Sequence, residues 1–284
     1  MKGKGAGDDF PPWQARLALS FARSGARSVL ARREHSGPLV IQKTLYPEGE
    51  AVCHAVVVHP PGGIASGDQL EIALEVEAGA HALLTTPGAT KWYRSRDDSE
   101  CSRQTLVARL AAGAVLEWLP QENIVFDAAR GRLETRLELA SGARVIGWEI
   151  VCLGRTASGE RFAHGELVQH TDLYLDGRLV WRERGRLAGA DALLCSKVGL
   201  GGNTVYGTLW LAGFAPDPGL LERWRGLELG EGVACAVTAL PQVTLMRALS
   251  ASAEALRAHF VRAWQVARPH CLGREAVAPR IWAT

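Results

Sequence analysis

Residues 54–95 read HAVVVHPPGGIASGDQLEIALEVEAGAHALLTTPGATKWYRS, and this stretch decides the fold class. Two apolar, strand-like runs each end at a Pro-Gly corner, and a third run of strand pattern lies between them. At the first corner Pro60 and Pro61 fix φ, while Gly62 and Gly63 admit positive φ and let another backbone come close. The second corner, residues 85–90, repeats the device with Pro87 and Gly88 and leads straight into Lys91, Trp92, Tyr93 and Arg94. Gly62, Gly63 and Gly88 are expected to hold conformations that alanine adopts only at a cost of roughly 1 kcal/mol or more. A mobile linker has no use for such stiff corners followed by aromatic and basic residues.

Outward from this stretch the same unit recurs. LEVEAGAHALLTT (74–86), VARLAAGAVLEWL (107–119) and ELASGARVIGWE (138–149) each place a strand, a Gly-Ala corner and a second strand in the same order, with the glycines at 79, 113 and 142. A period near thirty residues built from strands and tight corners fits coils of a stacked β solenoid, and equally fits three hairpins of a sandwich. Upstream, WQARLALSF (13–21) alternates with period two, a second strand pattern surrounds Val29, and residues 39–45 form another that ends at the Tyr46-Pro47-Glu48-Gly49 turn. Downstream, strands at 166–175 and 179–184 are joined through Asp176-Gly177, a type I′ hairpin signal, and a strand pattern with a glycine-rich joint continues over 193–211. The character then changes. Residues 216–227 and 251–267 read as helices, the second starting after Ser250, with Glu254 in its first turn, Leu256, Phe260 and Trp264 on one face, and Pro269 as its stop. From the residues alone the expected fold is mainly β with about two α-helices near the C-terminus, and solenoid and sandwich both stay open.

Composition narrows the function classes. The chain has 284 residues, a net charge of +2 and no run of five or six basic residues, which disfavours nucleic acid as a partner. No apolar run reaches the roughly 18 residues of a membrane span, and the first twelve residues, MKGKGAGDDFPP, lack the apolar core of a signal peptide. The expectation is a cytoplasmic protein with a flexible lead-in at 1–12 and one β domain, helices included, over 13–284. The six cysteines show no C-x-x-C pair, so a closed zinc site or a disulfide framework is not expected; Cys271, beside His270, is the one pair worth following.

Familiar catalytic signatures are missing: no Walker A loop, no G-x-S-x-G elbow and no H-E-x-x-H. HPPGGIASGD lacks the Lys-Ser/Thr ending of a phosphate loop and precedes a strand where a helix would be needed. In an extended strand His54 faces with Val56 and Val58, and Cys53 and His59 face the other way, so the two histidines do not share a preformed metal site. Acidic residues sit beside apolar ones at strand ends and corners: Asp68, Glu117, Glu122, Asp127, Glu149, Glu160 and Glu166. A carboxylate there must be paired or wetted, and Lys91, Arg94, Arg155 and Arg161 are the obvious partners.

Five strings now matter together: GPLVIQKTLYPEG (37–49), CHAVVVHPPGGIASGDQL (53–70), LLTTPGATKWYRS (83–95), LEWLPQENIVFDAA (116–129) and WEIVCLGRTASGERF (148–162). In this order they resemble the urease accessory protein family UreD, called UreH in some bacteria, over roughly residues 13–210. The resemblance implies a β-helical fold and no catalysis by the chain itself. It implies a scaffold that binds apo-urease with UreF and the GTPase UreG, receives nickel from UreE, and is required for nickel insertion, with a water-filled passage for the ion and no tightly bound cofactor.

A wet passage wants single carboxylates, carbonyls and waters, because a closed structural site worth on the order of 10 kcal/mol would trap the ion. On that reading Asp68, Glu149, Glu160 and Glu166, with His59 and Glu122, are the expected lining. Trp92, Tyr93, Arg94 and Lys91, set between Pro60, Pro61, Gly62 and Gly63 on one side and Pro87 and Gly88 on the other, are expected either to bind a partner or to form a buried aromatic ladder. The helix at 251–267 is expected to pack on its own sheet; the earlier one is left free to dock UreF. Two other classes remain: a passive interaction module without a metal passage, and a metal-dependent hydrolase using His54, His59 and Asp68.

Overall fold

The computed structural model describes residues 11–96, 100–215 and 217–283. The first ten residues of the expected lead-in, and Pro216 at the expected start of the first helix, lie outside the described residues. In chain order the first nine strands are β1 (Gln14–Ser24), β2 (Arg27–Ser36), β3 (Val40–Ile41), β4 (Cys53–Val58), β5 (Gly63–Ile64), β6 (Gln69–Val76), β7 (His81–Thr85), β8 (Thr90–Trp92) and β9 (Ser102–Leu110). The rest are β10 (Val115–Trp118), β11 (Asn123–Val125), β12 (Arg130–Leu139), β13 (Arg144–Leu153), β14 (Glu166–Leu175), β15 (Arg178–Ala188), β16 (Val205–Ala212), β17 (Ala234–Leu240) and β18 (Val243–Ser250). Helix α1 (Pro218–Arg225) precedes β17 and helix α2 (Ala253–Leu272) follows β18.

The Gly-Ala corners are the hinges between two sheets. Gly79, Gly113 and Gly142 all have φ near +70°, at +70°, +70° and +75°, and each turn closes with the alanine N–H on the carbonyl three residues back, at 3.0 Å in all three. Each corner carries the chain out of one sheet and into the other, so the three units are not hairpins. The strands before the corners, β6, β9 and β12, pair in parallel with Val76, Leu110 and Leu139 aligned, and those after them, β7, β10 and β13, do the same with His81, Val115 and Arg144 aligned. Aligned apolar side chains then stack rung upon rung.

The remaining strands complete the sheets with mixed direction. The first sheet runs β15-β14-β12-β9-β6-β1-β2, and the second runs β17-β18-β16-β13-β10-β7-β4-β3 with β5, β8 and β11 joined beside β13. The outer members of the two sheets, β2 and β15 in the first and β16, β17, β18 and β3 in the second, are antiparallel to their neighbours. The Asp176-Gly177 turn, where φ is +48° and +73°, joins β14 to its antiparallel neighbour β15.

One apolar cluster fills the space between the sheets and a second lies between the second sheet and the helices. β13 serves both: Val145 and Val151 point into the first, Ile146, Trp148 and Ile150 into the second. Leu256, Phe260 and Trp264 of α2 are fully buried against that outer face, as their spacing predicts. α1 also turns Leu220 and Trp224 inward, and the Trp224 indole donates to the Ala263 carbonyl at 2.9 Å, so its apolar face is already used.

Three boundaries differ from the sequence expectation. Residues 39–45 contribute only the two-residue β3 and a bridge from Leu45 to His54. Residues 193–204 form a short 3-10 turn and glycine joint rather than strand, and a Cβ at Gly199 would lie 2.1 Å from the Leu193 carbonyl oxygen. α2 is capped by the Ser252 hydroxyl, which accepts from the Ala255 N–H, and it runs through Pro269. Proline in a last turn forfeits one hydrogen bond only, and the helix stops where Gly273, at φ +63°, donates back to the Pro269 carbonyl.

Candidate functional site

Under the two Pro-Gly corners, between the sheets, lies a cavity of about 320 Å³. His59, Gly62 and Gly63 line it from one corner, residues 86–91 from the other, and Gln121, Asn123, Thr135 and Glu149 supply polar groups among apolar walls that include Leu70, Leu106 and Trp118. The first corner is built as its residues dictate. Gly62, at φ +76°, donates its N–H to the His59 carbonyl at 2.9 Å, and a Cβ on Gly63 would sit 2.5 Å from the Tyr93 ring and 2.8 Å from the Lys91 carbonyl oxygen. Gly88 differs: its φ is not positive and nothing lies within 4 Å of a Cβ there. The expectation that Gly63 and Gly88 hold glycine-only conformations is therefore corrected: neither has a positive φ, Gly63 answers to a close approach, and at Gly88 nothing approaches the position of a Cβ.

The four residues after that corner divide into an inner pair and an outer pair. Trp92 is buried, with its indole donating to Asn123 Oδ1 at 3.0 Å, and Tyr93 packs edge-on against Phe126 at 5.2 Å. Lys91 and Arg94 are exposed.

Glu149 is the unusual group of the site. It points from β13 into the space between the sheets, is 3% exposed, and accepts from the Thr135 hydroxyl and from the Gln169 side-chain amide at 2.7 Å. Gln169 Oε1 in turn accepts from the Tyr206 hydroxyl at 3.1 Å. All these donors are neutral. Burial pushes the Glu149 carboxyl above the usual carboxylate range, the hydrogen bonds from Thr135 and Gln169 only partly oppose it, and the nearby Glu183 carboxylate adds to the rise. Glu183, on β15, is also pushed up by burial, against the pull of Arg247 at 2.8 Å and the Thr208 hydroxyl. A polar lane therefore leads from the cavity through Glu149, Gln169 and Tyr206 toward Glu183.

His59 adds a second unusual group. Both ring nitrogens are buried without a hydrogen-bond partner, and burial lowers the imidazole pKa, with Asp68 nearby opposing. The other expected lining residues are elsewhere. Asp68 accepts from the Trp13 N–H at 2.7 Å and the Ala65 N–H at 2.8 Å, bracing the start of β1. Glu160 is paired with Arg155 at 2.7 Å, Glu166 with Arg186 at 2.6 Å, and Glu122 stands 3.7 Å from Arg257. None of these four lines the cavity. Among the described residues no group of three or more His, Cys, Asp and Glu side chains is placed to hold a metal ion, and no helix is long and apolar enough to cross a membrane.

Residues 14–283 match the family model described as UreD urease accessory protein. The chain is 51% identical over 278 residues to a urease accessory protein UreD of Dechloromonas aromatica (strain RCB), 96% of each chain being covered, and 51% identical over 278 residues to that of Azoarcus sp. (strain BH72). A UreD of Pseudomonas fluorescens (strain Pf-5) is 49% identical over 274 residues, again 96% of each chain. The chain belongs to the UreD urease accessory protein family.

In this UreD-family chain a buried network of charged side chains lies on the other face of the second sheet and was not visible in the sequence. Glu117, fully buried on β10, bonds His81 Nε2 at 2.7 Å, the Trp264 indole at 2.6 Å and Arg268 Nε at 3.0 Å. Arg268, also fully buried, reaches Glu48 at 2.7 Å, and Glu48 bonds His54 Nε2 at 2.6 Å. Burial opposes ionisation of Glu117, but the hydrogen bond and charge of His81, with Arg268 and Trp264, outweigh it and hold the carboxyl below its ordinary value. Glu48 is likewise lowered, His54 and Arg268 overcoming its burial. This network pins α2 to the sheet and to the turn at 46–49. It also fixes His54 on the helix side while His59 faces the cavity, the opposition that strand parity predicts.

The polar lane did leave a signal. Thr135, Gln169 and Thr171 occupy inward positions of period-two strands otherwise filled by Leu133, Leu137, Leu167 and Leu173. Near α1, His270 pairs with Asp217 at 3.1 Å, and burial pushes the Cys271 thiol up to about 12.

Proposed function

We propose that this chain serves urease maturation as a non-catalytic scaffold that holds apo-urease together with UreF and UreG, and that nickel brought by UreE crosses it as a hydrated ion. Membership of the UreD urease accessory protein family supports the maturation role. The observation that carries the passage is Glu149, a buried carboxyl with only neutral donors, set on the wall of a cavity beneath the corners. The rungs at Gly79, Gly113 and Gly142 are read as a β-helical segment whose stiffness keeps that cavity open.

Physical chemistry sets the terms. A bare divalent ion in a dry core is excluded by tens of kcal/mol, whereas a cavity of about 320 Å³ has room for on the order of ten waters. His59, Gln121, Asn123 and Thr135 offer single weak ligands, and Glu149 supplies negative charge once it releases its proton. The lane onward through Gln169 and Tyr206 to Glu183 is the proposed exit. Asp68, Glu122, Glu160 and Glu166 act as braces outside it.

The test uses the full complex reconstituted with UreF, UreG and apo-urease. Glu149→Ala is expected to leave the complex intact by size-exclusion chromatography and to lower nickel bound per urease several-fold, with Glu160→Ala as the unaffected control. Normal nickel loading by Glu149→Ala removes this residue from the route. The second reading, a passive clamp, is separated by Gly88→Trp, since Gly88 lines the cavity and has free space around it. A clamp keeps working with that opening filled, and a conduit does not.

A further inference from the structure

Two rows of polar side chains run across the strands between the sheets. On the first sheet Thr135, Thr171 and Glu183 stand in register on β12, β14 and β15; on the second, Glu149, Thr208 and Arg247 do so on β13, β16 and β18. Direct partners in a ladder point to one face, so each row turns toward the other. Bonds cross the gap accordingly. Thr135 and Thr171 both serve Glu149, Thr208 serves Glu183, and the Arg247 guanidinium meets Glu183 at 2.8 Å. The next rows along these strands, Leu137, Leu173 and Trp181 on one sheet and Trp210 and Leu245 on the other, are apolar and buried, so the polar track is narrow.

The track has an inner and an outer end. Thr135 and Glu149 line the cavity. The first sheet stops at β15 while the second continues to β18 and β17, and the Glu183 and Arg247 side chains there are 27% and 55% exposed. Arg247 thus lies as a bar from one sheet to the other where the track meets solvent. It occupies the last carboxylate, and its fixed charge repels a divalent cation at that point. The bar is lightly held, because an ion pair this exposed contributes little net stability. Arg268, fully buried between Glu117 and Glu48, has no such freedom. We propose that Arg247 is the latch of this track: paired with Glu183 it shuts the outer end, and swung into solvent it opens that end and frees Glu183 for a cation. The latch rests on the reading of the lane from Glu149 to Glu183 as a passage.

Access to the track tests this without nickel. In the full chain carrying T208C the introduced thiol lies one strand in from Arg247, within reach of a small cationic methanethiosulfonate only when the outer end is open. The rate is read by mass spectrometry on the peptide containing position 208, with Cys152, buried on the helix side of the same sheet, as internal control. Adding R247Q is expected to speed the reaction about fivefold, the upper end of what an exposed pair supplies, and to leave Cys152 unchanged. Loss of a positive charge by itself favours thiol over thiolate, so a gain in rate reports access. Added salt is expected to speed labelling with Arg247 present and not in R247Q. An unchanged or slower rate at position 208, or an equal rise at Cys152, overturns the latch whether or not nickel takes this route. A rise at position 208 alone, beside normal nickel loading of urease by Glu149→Ala, upholds the latch as the door of the track and removes the passage reading instead.

Discussion

Removal of the Arg268 guanidinium isolates the role of the buried network. Arg268→Ala strips from Glu117, which is fully buried, and from Glu48, whose side chain is 6% exposed, their only Arg or Lys partner among the described residues, and frees the Glu275 carbonyl as well. Breaking a buried pair by deleting one member costs about 3–5 kcal/mol, because the partner is left as an unpaired charge in low dielectric. For a domain of this size that is a fall in Tm of roughly 6–20 °C.

The pH dependence follows from the directions of the shifts. In the wild type Glu117 and Glu48 have lowered pKa values, so their contribution to stability is present above the unfolded carboxylate value and is lost as pH falls through the folded values. Without Arg268, burial is less opposed, the carboxyls take up protons more readily, and the variant loses stability as pH rises. The gap between wild type and variant therefore widens from acid toward neutral pH. Urea titrations followed by circular dichroism, at about pH 4.5 and pH 7.5, measure it directly. A loss under about 1 kcal/mol at the higher pH, or a gap that narrows as pH rises, refutes the assignment of this network as the clamp on α2.

The two corners give a paired prediction: Gly63→Ala is expected to destabilise by about 2 kcal/mol through overpacking against Tyr93 and the Lys91 carbonyl, and Gly88→Ala to stay within about 0.5 kcal/mol of wild type, both by urea denaturation. Equal effects at both positions would show that the close approach at Gly63 carries no energy. For Glu149→Gln the sign is opposite to that at Glu117: a carboxyl whose folded pKa is raised loses stability as pH climbs from the unfolded value through the folded one, and glutamine removes that loss. The variant is expected to match wild type near pH 4.5 and to exceed it in Tm above neutrality; a constant offset across pH sinks the argument.

Much of the frame was legible because its signals are local. A Gly-Ala pair after one period-two run and before another names a corner whichever sheets it joins, and the three corners are found at Gly79, Gly113 and Gly142 in matching φ. Which sheet each strand enters is a property of pairing across 30 residues and more, so spacing alone fits a solenoid and hairpins equally, and the lean to a solenoid comes from the family resemblance. The Pro-Gly strings around Gly62 and Gly88 look alike, but only at Gly63 does another part of the chain come against the position of a Cβ, and sequence carries no trace of that approach. Glu149 could be singled out as an acid inside an apolar strand. Its cavity could not, nor could the bond between Glu48 and Arg268, which are 220 positions apart. Asp68, Glu160 and Glu166 shared the same local pattern as Glu149 and turned out to be braces, because their donors come from loops and neighbouring strands close by.

The strongest case for a working site comes from setting Glu117 beside Glu149. Both are fully buried or nearly so, and they sit on the adjacent parallel strands β10 and β13, on opposite faces of one sheet. One is given an arginine, an indole and an imidazole; the other is given a hydroxyl and an amide, with open space next to it. The fold thus contains the means to neutralise a buried carboxylate and, among the described residues, does not apply them to Glu149. Folding alone would favour leucine at position 149, which would fill part of the cavity and remove a carboxyl held away from its preferred ionised state. A group that weakens the fold, lines an opening and lacks a cation of its own is suited to receive one, and a ligand set too sparse to retain that cation is suited to let it go.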